Sequence, residues 1–412
     1  MAGLCFSCTQ DEHLQGIIRD KGSPIPCCVC GLSVNNAVNP GQIAEILAPV
    51  IRQNFEIAVS LNGRDYGDSL IDLVVTVVGR YLDCMEEVEN ALLAMDEPIA
   101  RTGGNPFFSL NESYVQRRVD YRAMIYKWKA VEQELKHQQR FFSQTAQGYF
   151  KRLFARIDEF RDGWSQPVVI VYPPGTEFFR ARALANPAAL DRICQSAAME
   201  LGPPPEGLAT AGRMNASGVS VFYGAFDIET CFAEMRPSLA SHVLIGSFRT
   251  TQTLRVLDFS VLAQAGPEKQ PSFFDPELAQ KREADEVLRI IHGLISRPVQ
   301  PGAESSEYII TQSIAEYLAY AQSPPLDGVI FDSVQRAGGK NIVLFSQYGR
   351  GELLQDDYSK CFPIEYMDGS VQLFKTRAIN YDPEKIPLTK IGDKYHAGYY
   401  TEYRDDDFPY DI

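Results

Sequence analysis

Five of the nine cysteines fall within the first thirty residues, and their spacing constrains the start of the chain more than any other feature. Cys5-Phe-Ser-Cys8 and Cys27-Cys28-Val-Cys30 form a C-x2-C-x18-C-x2-C pattern. Two such knuckles place four thiolates around one tetrahedral Zn²⁺. A segment this short buries too little apolar surface to fold alone, so the metal would supply its folding energy. Cys5, Cys8, Cys27 and Cys30 are therefore the expected ligands of a structural zinc. Four cysteines close the coordination sphere, which argues against a catalytic metal. A disulfide framework is the competing reading. It is disfavoured because no basic-then-apolar signal pattern is present, Asp11 and Glu12 arriving almost at once. Cys28 is the spare thiol, and Cys84, Cys194, Cys231 and Cys361 read as core residues.

Charge narrows the classes of function. With 39 Lys+Arg against 53 Asp+Glu the formal charge is −14. That argues against general nucleic-acid coating or adsorption to an anionic membrane, while leaving room for a local basic groove. No apolar run approaches the ~18 residues of a spanning helix. The best stretch, Leu70–Val78, already contains Asp72. The expectation is a soluble, cytoplasmic protein of two or three domains over 412 residues.

After Asn39-Pro40-Gly41 the apolar spacing becomes helical. Ile43, Ile46, Leu47, Val50, Ile51, Phe55 and Ala58 follow one buried stripe. A second helix is expected from Asp68 to about Met95, ending before Pro98, and Gly103-Gly104-Asn105-Pro106 reads as a loop. From about Glu112 helical spacing resumes through Tyr121, Ile125, Trp128 and Leu135, then Phe142 to Phe160. These residues predict an all-α domain of about four helices whose aromatics are core.

From Pro167 the pattern switches to short apolar strands between Gly/Pro loops. Strands are expected at 168–172, 177–182, 219–223, 243–248, 254–259, 328–331 and 342–345. Tyr308–Thr311 reads as extended, ahead of a short helix over Ser313–Ala321. Helices are also expected over Pro276–Ile295, after Asp275, and over Ile228–Met235, capped by Asp227. Strands with scattered helices indicate α+β rather than a doubly wound sheet. No dinucleotide glycine loop and no P-loop is present.

Several polar residues stand where a sheet core does not want them. Arg180 and Arg182 alternate and so face one side of a strand. Gly212-Arg213-Met214-Asn215 and Gly218 form a small-residue loop that permits close backbone approach to a ligand. Tyr223 and Glu234 follow. By pattern alone, a solvated helix-end glutamate beside surface arginines is the simpler reading.

Taken in order, Phe179-Arg180-Ala181-Arg182, Gly212 to Gly218, Tyr223 and Glu229-Thr230-Cys231-Phe232-Ala233-Glu234 resemble the RES domain family. Tyr308 to Ser313, Asp327 to Ser333, Gly338 to Phe345 and a closing strand over Val371–Tyr381 extend the resemblance. A zinc-ribbon start and a helical region described as HEPN-like also resemble a longer architecture of that family. The active HEPN pairing of Arg and His is absent, since His137 has no Arg at the right distance before it. The resemblance implies a zinc ribbon over 1–38, a HEPN-like helical domain over 39–163 and a RES catalytic domain over 164–381. An acidic tail follows over 382–412. The catalytic fold it implies is ADP-ribosyltransferase-like.

Function follows from the same resemblance. Characterised members act on NAD⁺, by phosphorolysis or hydrolysis at the nicotinamide–ribose bond, and one kind transfers ADP-ribose to protein. The family is named for an Arg, a Glu and a Ser. Glu234 would stabilise the oxocarbenium-like ribose. Arg180 and Arg213, with Asn215 and Gly218 in the loop, would hold the diphosphate, Arg182 being a secondary contact. Tyr223 would face the nicotinamide or ribose. The serine falls on Thr311 or Ser313; the strand-then-hydroxyl pattern favours Thr311, with Ser313 N-capping a helix. Met214 stands where the family commonly has an aromatic. Implied partners are NAD⁺, an antitoxin or immunity protein, and a second copy of the chain. The alternatives are mono-ADP-ribosyl transfer to a protein or nucleic acid, and a non-catalytic protein that binds through its ribbon. The tail Asp405-Asp406-Asp407-Phe408 reads as a solvated end.

Overall fold

A computed structural model describes residues 2–58, 67–101, 103–205, 207–296, 304–347, 361–379, 387–391 and 394–397. The first strands, β1 (Leu4–Cys5), β2 (Ser23–Pro26) and β3 (Ser33–Val38), form an antiparallel sheet in the order β1-β3-β2. Between the two cysteine pairs the chain folds into α1 (Glu12–Lys21), which Asp11 caps by accepting the Leu14 N–H at 2.9 Å. The eighteen-residue spacer thus contains a helix.

Next, α2 (Pro40–Asn54) starts at a reciprocal cap. Asn39 accepts the Gln42 N–H, and the Gln42 side chain accepts the Asn39 N–H. Ile43, Ile46, Leu47 and Ile51 bury its expected stripe. The stripe ends at Asn54, where the chain enters β4 (Phe55–Ile57), paired with β5 (Tyr114–Gln116). The expectation of an all-α region is corrected by this two-stranded sheet. The single helix expected over 68–95 is two. α3 (Leu70–Val78) stops at Gly79, whose left-handed φ of 80° ends the helix while its N–H caps Val75. α4 (Met85–Arg101) then continues past Pro98. α5 (Arg122–His137) and α6 (Gln144–Leu153) complete the helical part.

Packing divides elsewhere than the sequence pattern does. Leu4, Leu14 and Ile18 share one core with α2, α3 and α4, and Phe6, Cys8, Cys28 and Val29 pack against it. The cysteine-rich segment is therefore welded to the helices behind it. By contrast, α5 and α6 bury Trp128, Leu135, Tyr149 and Phe150 with Leu257, Phe259, Leu288, Ile314 and Val343 of the second half. The boundary expected at 163/164 cuts through this core.

The second half is built on a nine-stranded mixed sheet. Its strands are β7 (Val169–Tyr172), β8 (Glu177–Leu184), β9 (Val221–Ala225), β10 (His242–Thr250), β11 (Leu254–Asp258), β13 (Gly328–Asp332), β14 (Lys340–Phe345), β15 (Ile364–Tyr366) and β16 (Gln372–Lys375). The order is β15-β10-β8-β9-β14-β13-β11-β7, with β16 also on β10; β11·β13 is parallel and its neighbours are antiparallel. Short β6 (Phe160–Arg161) pairs β12 (Gly266–Pro267), and β17 (Leu388–Ile391) pairs β18 (Lys394–Ala397). α7 (Leu190–Gln195), α8 (Ala197–Leu201), α9 (Ile228–Glu234), α10 (Leu278–Ser296) and α11 (Glu304–Glu316) flank the sheet. This mixed arrangement of strands and scattered helices is the expected α+β class.

One segment changes type. Tyr308–Thr311, expected as extended, lies inside α11. Its β-branched and aromatic residues favour a strand, but Ile310, Ile314 and Leu318 recur every fourth position and are buried together. Packing outweighs local propensity here. No described helix is long and apolar enough to cross a membrane. Tyr381 and the acidic Asp405–Phe408 segment lie outside the described residues.

Candidate active site

The cavity of interest, about 370 Å³, opens against the middle of the sheet where β8, β9 and β14 meet α9. Each side chain is delivered by a different element. β8 carries Arg180, paired opposite Gly246 on β10. β9 carries Tyr223, opposite Val343 on β14. Asp227 caps α9 by accepting the Thr230 N–H at 2.7 Å, so the helix starts at Ile228 and brings Glu234 to its last position. Arg180, Arg213, Tyr223 and Glu234 all line this one cavity.

Arg180 is the most unusual of them. Its Nη1 is sealed from solvent and has no hydrogen-bond partner among the described residues. The guanidinium lies 5.3 Å from the centre of the Phe222 ring. Burial pulls it down to about 10, still charged at neutral pH. A buried cation with a free donor costs stability unless an anion reaches it. Arg180 also lines a second cavity of about 570 Å³, together with Arg182, Arg192 and Glu200. Both volumes fall in the ~300–1,000 Å³ range of ligand sites.

Glu234 is held by two donors on one oxygen. Oε1 accepts from Ser333 Oγ at 2.5 Å and from Asn341 Nδ2 at 2.7 Å. Ser333 Oγ in turn accepts the Gln335 and Arg336 N–H groups at 3.2 and 3.1 Å, which fixes its proton toward the carboxylate. The loop beyond Ser333 approaches α9 so closely that a Cβ on Gly339 would lie 2.3 Å from Thr230 Oγ1. Cys231 also lines the cavity, and burial pushes its thiol up to about 12, which keeps it protonated at neutral pH.

The Gly212 loop is braced from within. Tyr223 Oη accepts the Met214 N–H and donates to Asn215 Oδ1, each at 2.9 Å. Burial pushes the Tyr223 hydroxyl up to about 12, in keeping with its donor role. Asn215 Nδ2 bonds the Thr210 and Val219 carbonyls at 2.9 and 2.8 Å. A Cβ on Gly212 would come within 2.6 Å of Tyr223 Oη, so only glycine fits. Gln312 Nε2 clamps the loop from α11 through Gly212 O and Asn215 O. Arg213 is thereby presented to the cavity, its guanidinium 5.9 Å from the Tyr308 ring centre.

Some expected residues stand elsewhere. Thr311 Oγ1 donates to Arg213 O and to Tyr308 O, and Ser313 Oγ donates to Ile309 O. Both lie inside α11, so Ser313 is not an N-cap, and neither lines the cavity. The hydroxyl that meets Glu234 belongs to Ser333. Asn215 is spent bracing the loop. Gly218 turns it, with a φ of 86° and its N–H on Ala209 O. Arg182 is paired with Glu200 and lines the second cavity alone of the two. Ser333, Asn341 and Tyr308 were missed as site residues. Ser333 and Asn341 sit in the two motifs around β13 and β14, and only the fold brings them to α9.

At the other end of the chain, the sulfurs of Cys5, Cys8, Cys27 and Cys30 all lie within 4.8 Å of one another and none is in a disulfide. Against its burial, backbone N–H groups of Cys30, Val29 and Cys5 hold the Cys27 thiol down at about 6. A tetrad of four sulfurs this compact fits a tetrahedral ion with ~2.3 Å metal–sulfur bonds.

Residues 189–358 match the family model of the RES domain. The match takes in Arg213, Tyr223, Glu234, Ser333 and Asn341; Arg180 and Arg182 stand just ahead of it on β8. No curated protein and no solved structure matches the chain.

Proposed function

We propose that this RES-domain protein is an NAD⁺-consuming enzyme that breaks the bond between nicotinamide and ribose. One juxtaposition carries the reading: the Nη1 of buried Arg180, without a partner among the described residues, and the doubly anchored carboxylate of Glu234 belong to residues lining the same cavity. Arg180 stands where two cavities meet, so a diphosphate on it leaves room for a nucleoside on either side. Its fork supplies charge and geometry for that group. As nicotinamide leaves, positive charge grows on the ribose, and the fixed Glu234 carboxylate stabilises it without reorganisation. Arg213 adds a second cation and Tyr223 an aromatic wall.

Phosphate or water then takes the vacated ribose carbon. Incubating the protein with labelled NAD⁺, with and without phosphate, tests the reading. ADP-ribose-1″-phosphate or ADP-ribose, formed with free nicotinamide, is the expected product. Label on protein or nucleic acid instead would establish ADP-ribosyl transfer, and no nicotinamide release would leave only a binding role. An enzyme that drains NAD⁺ endangers its own cell, so a toxin or defence role with an antitoxin or immunity partner belongs to the same proposal.

We infer likewise that Cys5, Cys8, Cys27 and Cys30 hold one structural Zn²⁺. The compact tetrad of free sulfurs supports this, and with all four positions filled the ion would take no part in the chemistry.

A further inference from the structure

Cys28 and Cys84 are 56 positions apart in sequence, yet their sulfurs lie 2.7 Å from one another. Cys28 stands in the second knuckle, between Cys27 and Cys30, but is not one of the four clustered sulfurs. A C-x2-C knuckle has no use for it. Cys84 immediately precedes α4, where its carbonyl accepts the Val88 N–H at 3.2 Å. It is buried in the helical core against which Cys28 packs. Neither residue lines the Glu234 cavity.

The sulfur separation exceeds the ~2.05 Å of a disulfide bond by only about 0.7 Å. Moreover, the two thiols differ in access: Cys28 is half-buried and Cys84 buried. We propose that Cys28 and Cys84 are a redox pair that hydrogen peroxide converts to a disulfide, stapling the cysteine-rich segment to the helical core without consuming a zinc ligand.

The half-buried sulfur reacts first. Cys28 Sγ attacks one peroxide oxygen, the O–O bond breaks, and the thiol proton leaves with the other oxygen as water, giving a sulfenic acid. Cys84 Sγ then displaces the hydroxyl from that sulfur. The S–S bond forms, and the Cys84 proton leaves with the hydroxyl as a second water. Two thiols are oxidised by two electrons and one peroxide is reduced. The closed loop restricts the unfolded chain, so the oxidised protein is the more stable.

The test treats the full-length, zinc-loaded chain with hydrogen peroxide. The readouts are intact mass, zinc content, thermal midpoint and tryptic peptides. The expected result is a loss of two hydrogens, a linked peptide joining residues 22–52 to 81–101 through Cys28 and Cys84, undiminished zinc, and a midpoint raised by several degrees. Cys84→Ser abolishes the link and the shift; should it fail to fold, the half-buried Cys28→Ser gives the same readout. Disulfides drawn from Cys5, Cys8, Cys27 and Cys30 with zinc release, or oxygen added to Cys28 with no link, would overturn the proposal.

Discussion

Ser333 Oγ lies 2.5 Å from Glu234 Oε1, a contact that spans 99 positions and ties the turn after β13 to the last residue of α9. The backbone bonds to Ser333 aim its proton at the carboxylate, so this serine is a positioning residue for Glu234. Ser333→Ala should lower kcat ~10-fold or more with little change in KM, because the ground state does not use the carboxylate's alignment. Ser333→Thr, which keeps the hydroxyl, should recover most of the loss. A kinetic comparison of the two checks this, and equal loss in both would deny the hydroxyl its role.

Arg180 should trade stability for binding. With its guanidinium at about 10 instead of the usual 12.5, the folded state holds this proton more weakly than the unfolded chain does. The charge therefore costs stability throughout the range below pH 10. Arg180→Met should raise the thermal midpoint of the free protein and, in the same sample, raise KM for NAD⁺ ~10²-fold or abolish binding. Calorimetry with and without NAD⁺ reads both effects. A lower midpoint would mean that the cation already has a structural partner.

Metal content is checked most simply on freshly purified protein, where one zinc per chain is expected. Cys5→Ser should lose that zinc and lower the thermal midpoint, since the cysteine-rich segment shares its core with α2, α3 and α4. A value well under one zinc per chain in the unaltered protein would contradict the assignment.

Truncation tests how the packing divides. A fragment starting at residue 118 keeps α5 and α6 on α10 and α11 and should unfold cooperatively. A fragment starting at 164 exposes the faces that Trp128, Leu135, Tyr149 and Phe150 cover, and should aggregate. Cooperative unfolding of the shorter fragment would show that this shared core is dispensable.

What the sequence disclosed followed locality. The Asp227 cap, α9 and the strand runs around Arg180 and Tyr223 are written in adjacent residues, and the structure places them within one or two positions of the sequence reading. Gly79 closes the apolar run Leu70–Val78, and its left-handed φ stops α3 six residues before α4 begins at Met85. Tyr308–Thr311 has strand-like residues, and its helical state comes from a core formed with α5 and α6, invisible to a local window. Ser333 was in view as part of a motif, but its role depends on where β13 ends relative to α9. Similarly, Asn215 looks like a ligand contact in sequence, whereas in the fold its amide is spent on three backbone carbonyls.

Glu234 carries the proposed chemistry. Glu234→Gln preserves a carbonyl oxygen for Ser333 and Asn341 while removing the charge that faces the ribose. The decisive measurement is nicotinamide release from NAD⁺ by this variant, paired with direct titration of NAD⁺ binding. Turnover is expected to fall ~10²-fold or more with affinity changed little, since the charge Glu234 stabilises exists only in the transition state. Near-normal nicotinamide release by Glu234→Gln would contradict that role.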